Sequence, residues 1–229
     1  MSNKPENTEE STAVLKAEKP QKTVLREYAE ALIIALILAL LIRTFIVQAF
    51  KIPSGSMKPT LLIGDHLLVS KFSYSIHVPN EIPFTSVQLF PDYHFFSSVP
   101  ERGDIVVFKF PLEPDKDYIK RVVGLPGETI QVIQQKVYIN DKYLKEPYAH
   151  HSQPPSPLAP NNRDFMPPLR IPEGHIFVMG DNRENSSDSR VWGVLDLSKL
   201  RGKAQWIYWS WDSEDTGLRT DRLGNSVYR

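Results

Sequence analysis

The sequence predicts a mainly β protein, an antiparallel β-sheet domain behind a single N-terminal transmembrane helix. Three observations carry this reading. One long apolar run exists, at residues 31–50. After Lys51 helical periodicity nearly vanishes, and short runs of Val, Ile, Tyr and Phe take its place. Nineteen prolines punctuate those runs, as long turns between strands require. Without the tail and the apolar segment, roughly 175 residues are left to fold in water. That is one domain, or one domain with an insertion.

The membrane segment comes first in the chain. Residues 31–42 are uninterrupted aliphatics, Arg43 breaks the run, and residues 44–50 continue it. About 20 residues span a hydrocarbon core, so this stretch reaches across only if Arg43 snorkels to an interface. No small-x-small cleavage site follows; Gln48-Ala49-Phe50-Lys51 is a poor candidate. Residues 29–50 are therefore expected to be an uncleaved, single-pass signal anchor. Lys4, Lys16, Lys19, Lys22 and Arg26 precede it, and only Arg43, Lys51 and Lys58 follow closely. That bias puts the N-terminus in the cytoplasm and the large C-terminal part across the membrane. Residues 1–28 are expected to be a cytoplasmic, disordered tail.

The strands follow in order. Residues 65–72, 105–110, 118–124, 174–180 and 204–211 read as buried or half-buried strands. Residues 129–134 and 136–140 read as a hairpin, with Tyr143-Leu144 beyond the next turn. Residues 73–103 read as a long irregular stretch. Residues 152–172 carry seven prolines and read as an extended loop.

Composition excludes several function classes. Twenty-seven basic and twenty-seven acidic residues leave no surplus for nucleic acid. With no cysteine, disulfides, thiolate metal sites and a cysteine nucleophile are excluded. His150-His151 has no third ligand at a helpful spacing, so no metal is expected.

Three segments carry groups suited to catalysis. Pro53-Ser54-Gly55-Ser56-Met57-Lys58-Pro59-Thr60-Leu61 is an exposed loop held in shape by its prolines, just past the apolar run. Ser56 needs a base to act as a nucleophile. None of the six histidines stands in a catalytic setting, and His66 and His175 sit inside strands. Lys120 is the alternative. Its face of the strand holds Tyr118 and Val122, where desolvation acts, and Arg121 points the other way. A working lysine base needs its pKa lowered by roughly three units, about 4 kcal/mol. On its own Lys120 also fits a snorkelling surface lysine. The run Gly180-Asp181-Asn182-Arg183-Glu184-Asn185-Ser186-Ser187-Asp188-Ser189-Arg190 reads either as a solvent-facing turn or as a support for the lysine. In the second reading Ser186 orients the amine and Asp188 pairs with Arg190.

Together, and in this order behind an anchor, these segments resemble the boxes of bacterial type I signal peptidases (leader peptidases). Gly64-Asp65 through Lys71 is similar to a further box, and residues 118–128 to the lysine box. The resemblance implies a Ser/Lys dyad endopeptidase without cofactor that removes signal peptides from exported preproteins after small residues. Ser56 would be the nucleophile and Lys120 the general base. Ser54 and the Ser56 N–H would form the oxyanion hole, and Ser186 would hydrogen-bond Lys120. Asp188 and Arg190 would give structural support. Ile52, Met57, Leu61, Tyr118 and Ile119 would line the substrate pockets. The same resemblance implies the outer face of a bacterial cytoplasmic membrane, contact with the lipid bilayer, and proximity to the export translocon. Residues 51–128 and 174–229 would form the β-rich catalytic core, and residues 129–173 a small inserted hairpin with a Pro-rich loop. The stretch 78–100, with Phe84, Phe90, Tyr93, Phe95 and Phe96, fits either a self-packed aromatic loop or one that dips into the bilayer. A peptidase dedicated to one substrate and an inactive anchored scaffold are the alternative functions. The intact Ser56, Lys120 and Ser186 set argues against the scaffold.

Overall fold

The computed structural model describes residues 24–42, 46–78, 93–155, 163–212 and 216–228. Most of the expected tail, Arg43, and Phe84 and Phe90 of the aromatic loop lie outside these residues. Two compact units make up the chain, residues 1–39 and 40–229.

Helix α1 spans Val24–Leu41, with no buried residue. Its first turns are polar, and Arg26 pairs with Glu30 at 2.9 Å. Its apolar part, residues 31–41, is about 16 Å long at 1.5 Å per residue, against a hydrocarbon core of about 30 Å. Among the described residues, no helix is long and apolar enough to cross a membrane. The expected continuous anchor at 29–50 is corrected at its end, where Val47–Phe50 lie in a strand and not in a helix. Strand β1, Val47–Lys51, pairs antiparallel with β2, Asp65–Ser70, from Val47↔Ser70 to Lys51↔His66. Phe50 packs against the core of the C-terminal unit. Val47-Gln48-Ala49-Phe50 is apolar enough to extend a helix, but it satisfies its backbone in a sheet instead.

The C-terminal unit is mainly antiparallel β. Strands also form where none was expected: β3, Ser75–Val78, pairs with β4, Tyr93–Ser97, inside the stretch read as irregular. The main sheet then takes β5 (Ile105–Lys109) and β6 (Asp117–Gly124). A smaller sheet holds β7 (Thr129–Ile133), β8 (Lys136–Ile139), β9 (Lys142–Tyr143) and β10 (Phe165–Arg170), in the order β10-β7-β8-β9. The expected hairpin is β7–β8, and its tight turn puts Gln134 and Gln135 at positive φ. Part of the proline-rich stretch is not a loop. β10 pairs with β7, and its register shifts between Met166 and Leu169, at Pro167-Pro168. An edge strand tolerates such a defect because a missing N–H there breaks no central ladder.

The main sheet closes with β11 (His175–Met179), β12 (Leu195–Asp196) and β13 (Leu200–Asp212), in the order β1-β2-β13-β5-β6-β11-β12. The late strand β13 thus lies in the middle, between β2 and β5. Two short strands, β14 (Gly217–Leu218) and β15 (Asn225–Ser226), also pair with it. Tyr228 locks the end of the described chain, its hydroxyl accepting the Ile105 N–H at 3.0 Å. Under the sheet, Ile52, Met57, Leu61, Leu67, Val69, Ile105 and Ile207 form one buried cluster. Each such side chain contributes on the order of 1.5–3 kcal/mol.

Candidate active site

Strand β6 positions the first group. It pairs with β5 along Asp117–Arg121 but reaches β11 only from Arg121 onward. Lys120 stands where β6 and β11 part. Its side chain is 3% exposed, lower than any surface lysine. The amine donates to Ser56 Oγ at 2.9 Å and to the Ile119 carbonyl at 2.9 Å. It also lies 5.3 Å from the centre of the Tyr118 ring, which itself stacks on Phe110 at 4.2 Å. Burial pushes the ammonium down to about 8, against the opposing pull of the Asp188 and Asp181 charges. Desolvation outweighs two carboxylates because neither touches the amine and each is neutralised by its own arginine.

Ser56 sits in a 3₁₀ turn, Gly55–Met57, preceded by Ser54 in extended conformation. Ser56 is 8% exposed. Ser54 is exposed, and its hydroxyl makes no capping bond. The first N–H groups of such a turn have no acceptor within it, so they can serve an oxyanion. The loop that follows β11 holds this turn. Asn182 N–H donates to Ser56 O at 3.0 Å and Asn182 Nδ2 to Gly55 O at 3.0 Å. Gly180 permits the approach. A Cβ there would collide with Ser186 Oγ and lie 2.6 Å from Ser56 O.

Asp188 and Arg190 meet as a buried bidentate pair, at 2.9 and 2.8 Å. The pair is not made along an extended chain. Asp188 caps the short helix α2, Ser189–Trp192, and accepts the Arg190 N–H at 3.2 Å. The Gly180 N–H adds a fourth donor at 2.9 Å. Burial raises the Asp188 pKa, but Arg190's bonds and charge, the Gly180 N–H and the nearby Ser186 hydroxyl together hold it below the ordinary carboxylate range. Ser186 Oγ is buried and forms no hydrogen bond of standard geometry. It does not bond Lys120, as the sequence reading expected, and it packs over Gly180 instead.

The expected pocket residues are mostly covered. Ile52, Met57, Leu61 and Ile119 lie in one core cluster at 8% exposure or less. Tyr118 is half-buried and packs on a different cluster.

Sequence reading missed a second charged layer beneath Ser56. Arg121, on the face of β6 opposite Lys120, is 5% exposed. It grips Asp181 with Nε–Oδ1 2.8 Å and Nη2–Oδ2 2.7 Å. Thr60 Oγ also donates to Asp181, at 2.6 Å, which ties the far end of the serine loop to the same carboxylate. Alternation along β6 put Arg121 on that face, but nothing local to the sequence paired it with a residue 60 positions away. Chemically, the site offers a buried amine of lowered basicity on a serine hydroxyl, with free donors beside it. That is equipment for acyl transfer.

Comparison with known proteins points the same way. A family model described as signal peptidase, peptidase S26, matches residues 25–209. The signal peptidase I of Pseudomonas aeruginosa is 37% identical over 223 residues, 83% of this chain and 75% of its own. The probable signal peptidase I-2 of Synechocystis is 37% identical over 222 residues, 94% of this chain and 86% of its own. The signal peptidase I of Rickettsia typhi is 36% identical over 233 residues, 87% of each chain. A crystal structure of a signal peptidase I from Enterococcus faecalis aligns with a TM-score of 0.37 at 32% identity, covering 45% of this chain and 95% of that one. With a serine at the end of a buried lysine and a family match over most of its length, the chain belongs to the bacterial type I signal peptidases, peptidase S26, a family of serine-type hydrolases.

Proposed function

We propose that this chain is a Ser/Lys endopeptidase that cleaves N-terminal signal peptides from exported preproteins after small residues. The observation that carries the reading is the 2.9 Å contact between a buried Lys120 amine and the Ser56 hydroxyl. Neutral Lys120 takes the Ser56 proton as Oγ attacks the scissile carbonyl. The Ser54 hydroxyl and the Ser56 N–H receive the oxyanion. The lysine ammonium then protonates the leaving amine, which departs as the new N-terminus. Neutral again, Lys120 deprotonates water, which attacks the Ser56 ester; the ester bond breaks, Lys120 returns the proton to Ser56 Oγ, and the signal peptide leaves. Asp188 with Arg190 fixes the backbone at Gly180 behind the lysine, where Ser186 packs. The substrate pockets assigned to Ile52, Met57, Leu61, Tyr118 and Ile119 rest on the family resemblance. So does the location: a single-pass anchor, N-terminus in the cytoplasm, catalytic unit at the outer face of the cytoplasmic membrane near the translocon. The charge bias around the apolar run and the unburied apolar surface of α1 support contact with lipid.

The test uses the full chain in detergent with a preprotein substrate, comparing wild type with Ser56→Ala and Lys120→Met. Cleavage at one site by wild type and by neither variant is expected. Equal cleavage by either variant sinks the dyad assignment.

A further inference from the structure

From the structure we infer that Glu146, in the segment that returns from the small sheet, is a positioning residue for the Ser56 turn and acts through Arg183. The inference rests on the signal-peptidase reading given above.

Glu146 is a carboxylate with a side chain 6% exposed, outside all the catalytic segments of the sequence. It grips Arg183 with two bonds, 2.9 Å to Nη1 and 2.6 Å to Nη2. Arg183 is 2% exposed and is among the largest fully buried side chains among the described residues. A bidentate carboxylate–guanidinium pair fixes orientation as well as distance. Arg183 spends its remaining polar atoms on the loop that carries the site. Its Nε donates to Gly180 O at 3.1 Å, and its own carbonyl accepts Arg190 Nη2 at 2.7 Å. Between these two anchor points lies Asn182, whose backbone and side chain hold Ser56 O and Gly55 O. Glu146 therefore sets one end of a short relay to the nucleophile turn.

The backbone of the same segment repeats the grip. His150 N–H donates to Asp181 O at 2.7 Å, and Arg183 N–H donates to His150 O at 3.0 Å. This makes a parallel bridge between His150 and Asn182. Tyr148 adds a third hold. Its ring lies 4.1 Å from the Arg121 guanidinium, and its hydroxyl donates to Glu146 Oε1 at 3.1 Å. Residues 146–150 thus touch both Arg121 and Arg183. Glu146 itself touches no reacting atom. Its effect is on the placement of Ser56 relative to Lys120, and it belongs in kcat rather than KM.

The experiment compares kcat and KM of wild type, Glu146→Gln, Arg183→Gln and the double variant on a preprotein and on a short peptide, with Ser56→Ala as the inactive reference. All are assayed in detergent well below their unfolding temperatures. Glu146→Gln is expected to lower kcat about 10-fold or more on both substrates, with KM within about 2-fold. The double variant is expected to match Arg183→Gln alone, because the relay is already cut. An unchanged kcat in folded Glu146→Gln overturns the inference, and so do effects of the two substitutions that multiply. If Glu146→Gln does not fold, Tyr148→Phe keeps the ring on Arg121 and removes only the hydroxyl that holds Glu146. A roughly 3-fold loss of kcat is then expected, and an unchanged kcat overturns the inference. Failure of wild type to cleave either substrate sinks the signal-peptidase reading instead, and the two failures are told apart by that control.

Discussion

Replacing Lys120 by Met tests the central claim about the site through stability rather than through rate. The drop of the Lys120 pKa from 10.5 to about 8 corresponds to about 3 kcal/mol of penalty on the protonated amine in the folded state. The sign follows from proton counting. Between about pH 8 and pH 10.5 the unfolded chain holds this proton and the folded chain does not, so stability rises with pH through that window. Below about pH 8 both states are protonated and the folded state bears the whole penalty; above about pH 10.5 neither is. Methionine has a similar shape and no proton. Between about pH 6.5 and about pH 9.5 the wild type should therefore gain about 2 kcal/mol relative to Lys120→Met. Urea unfolding of the two full-length proteins in detergent at matched pH values reads this difference directly. Parallel stability curves over that range refute the reasoning, because they mean that the amine is as well solvated folded as unfolded.

Three further outcomes follow from the same geometry. The pH profile of kcat/KM should rise with pH through about 8, because only the neutral Lys120 can take the Ser56 proton; a limb near 10.5 would place the amine in water. Ser54→Ala should lower kcat about 100-fold with little change in KM, in steady-state assays, if its hydroxyl receives the oxyanion. Asp181→Ala should destabilise the fold by about 3–5 kcal/mol, because it leaves Arg121 buried and unpaired; unfolding of Asp181→Ala beside an Arg121→Met/Asp181→Leu double variant separates the stranded charge from the lost volume.

What the sequence could reveal depended on how local the cause was. Strands β2, β5, β6, β11 and β13 announce themselves by short β-branched and aromatic runs between turn residues. Asp188 and Arg190 are two positions apart, so their pairing was open to inspection, although the capped turn that brings them together was not. Val47–Phe50 was misread because four apolar residues look the same whether they extend a helix or pair with β2, and tertiary pairing decides. β10 was hidden by its two prolines, which only its position at a sheet edge makes tolerable. The meeting of Lys120 and Ser56 across 64 positions came from resemblance to a family, since no local pattern encodes it. Arg121 with Asp181 and Glu146 with Arg183 are the same kind of long-range pair, and no recognised motif spoke for them.

The central place of β13 has a consequence for how the enzyme comes into being. Until residues 200–212 arrive, β2 and β5 have no common neighbour, and each presents a bare row of amide and carbonyl groups. The serine loop leads into β2, and β5 pairs with the lysine strand. Ser56 and Lys120 therefore belong to parts of the sheet whose backbone ladders are joined by the late strand. A chain that lacks residues 200–212 holds Ser56 and Lys120 with the side-chain and loop contacts of Asp181 and Asn182 between their strands. Such an order leaves the central ladder of the sheet incomplete until nearly the whole unit has been made. It also makes folding slow and leaves sticky edges exposed meanwhile.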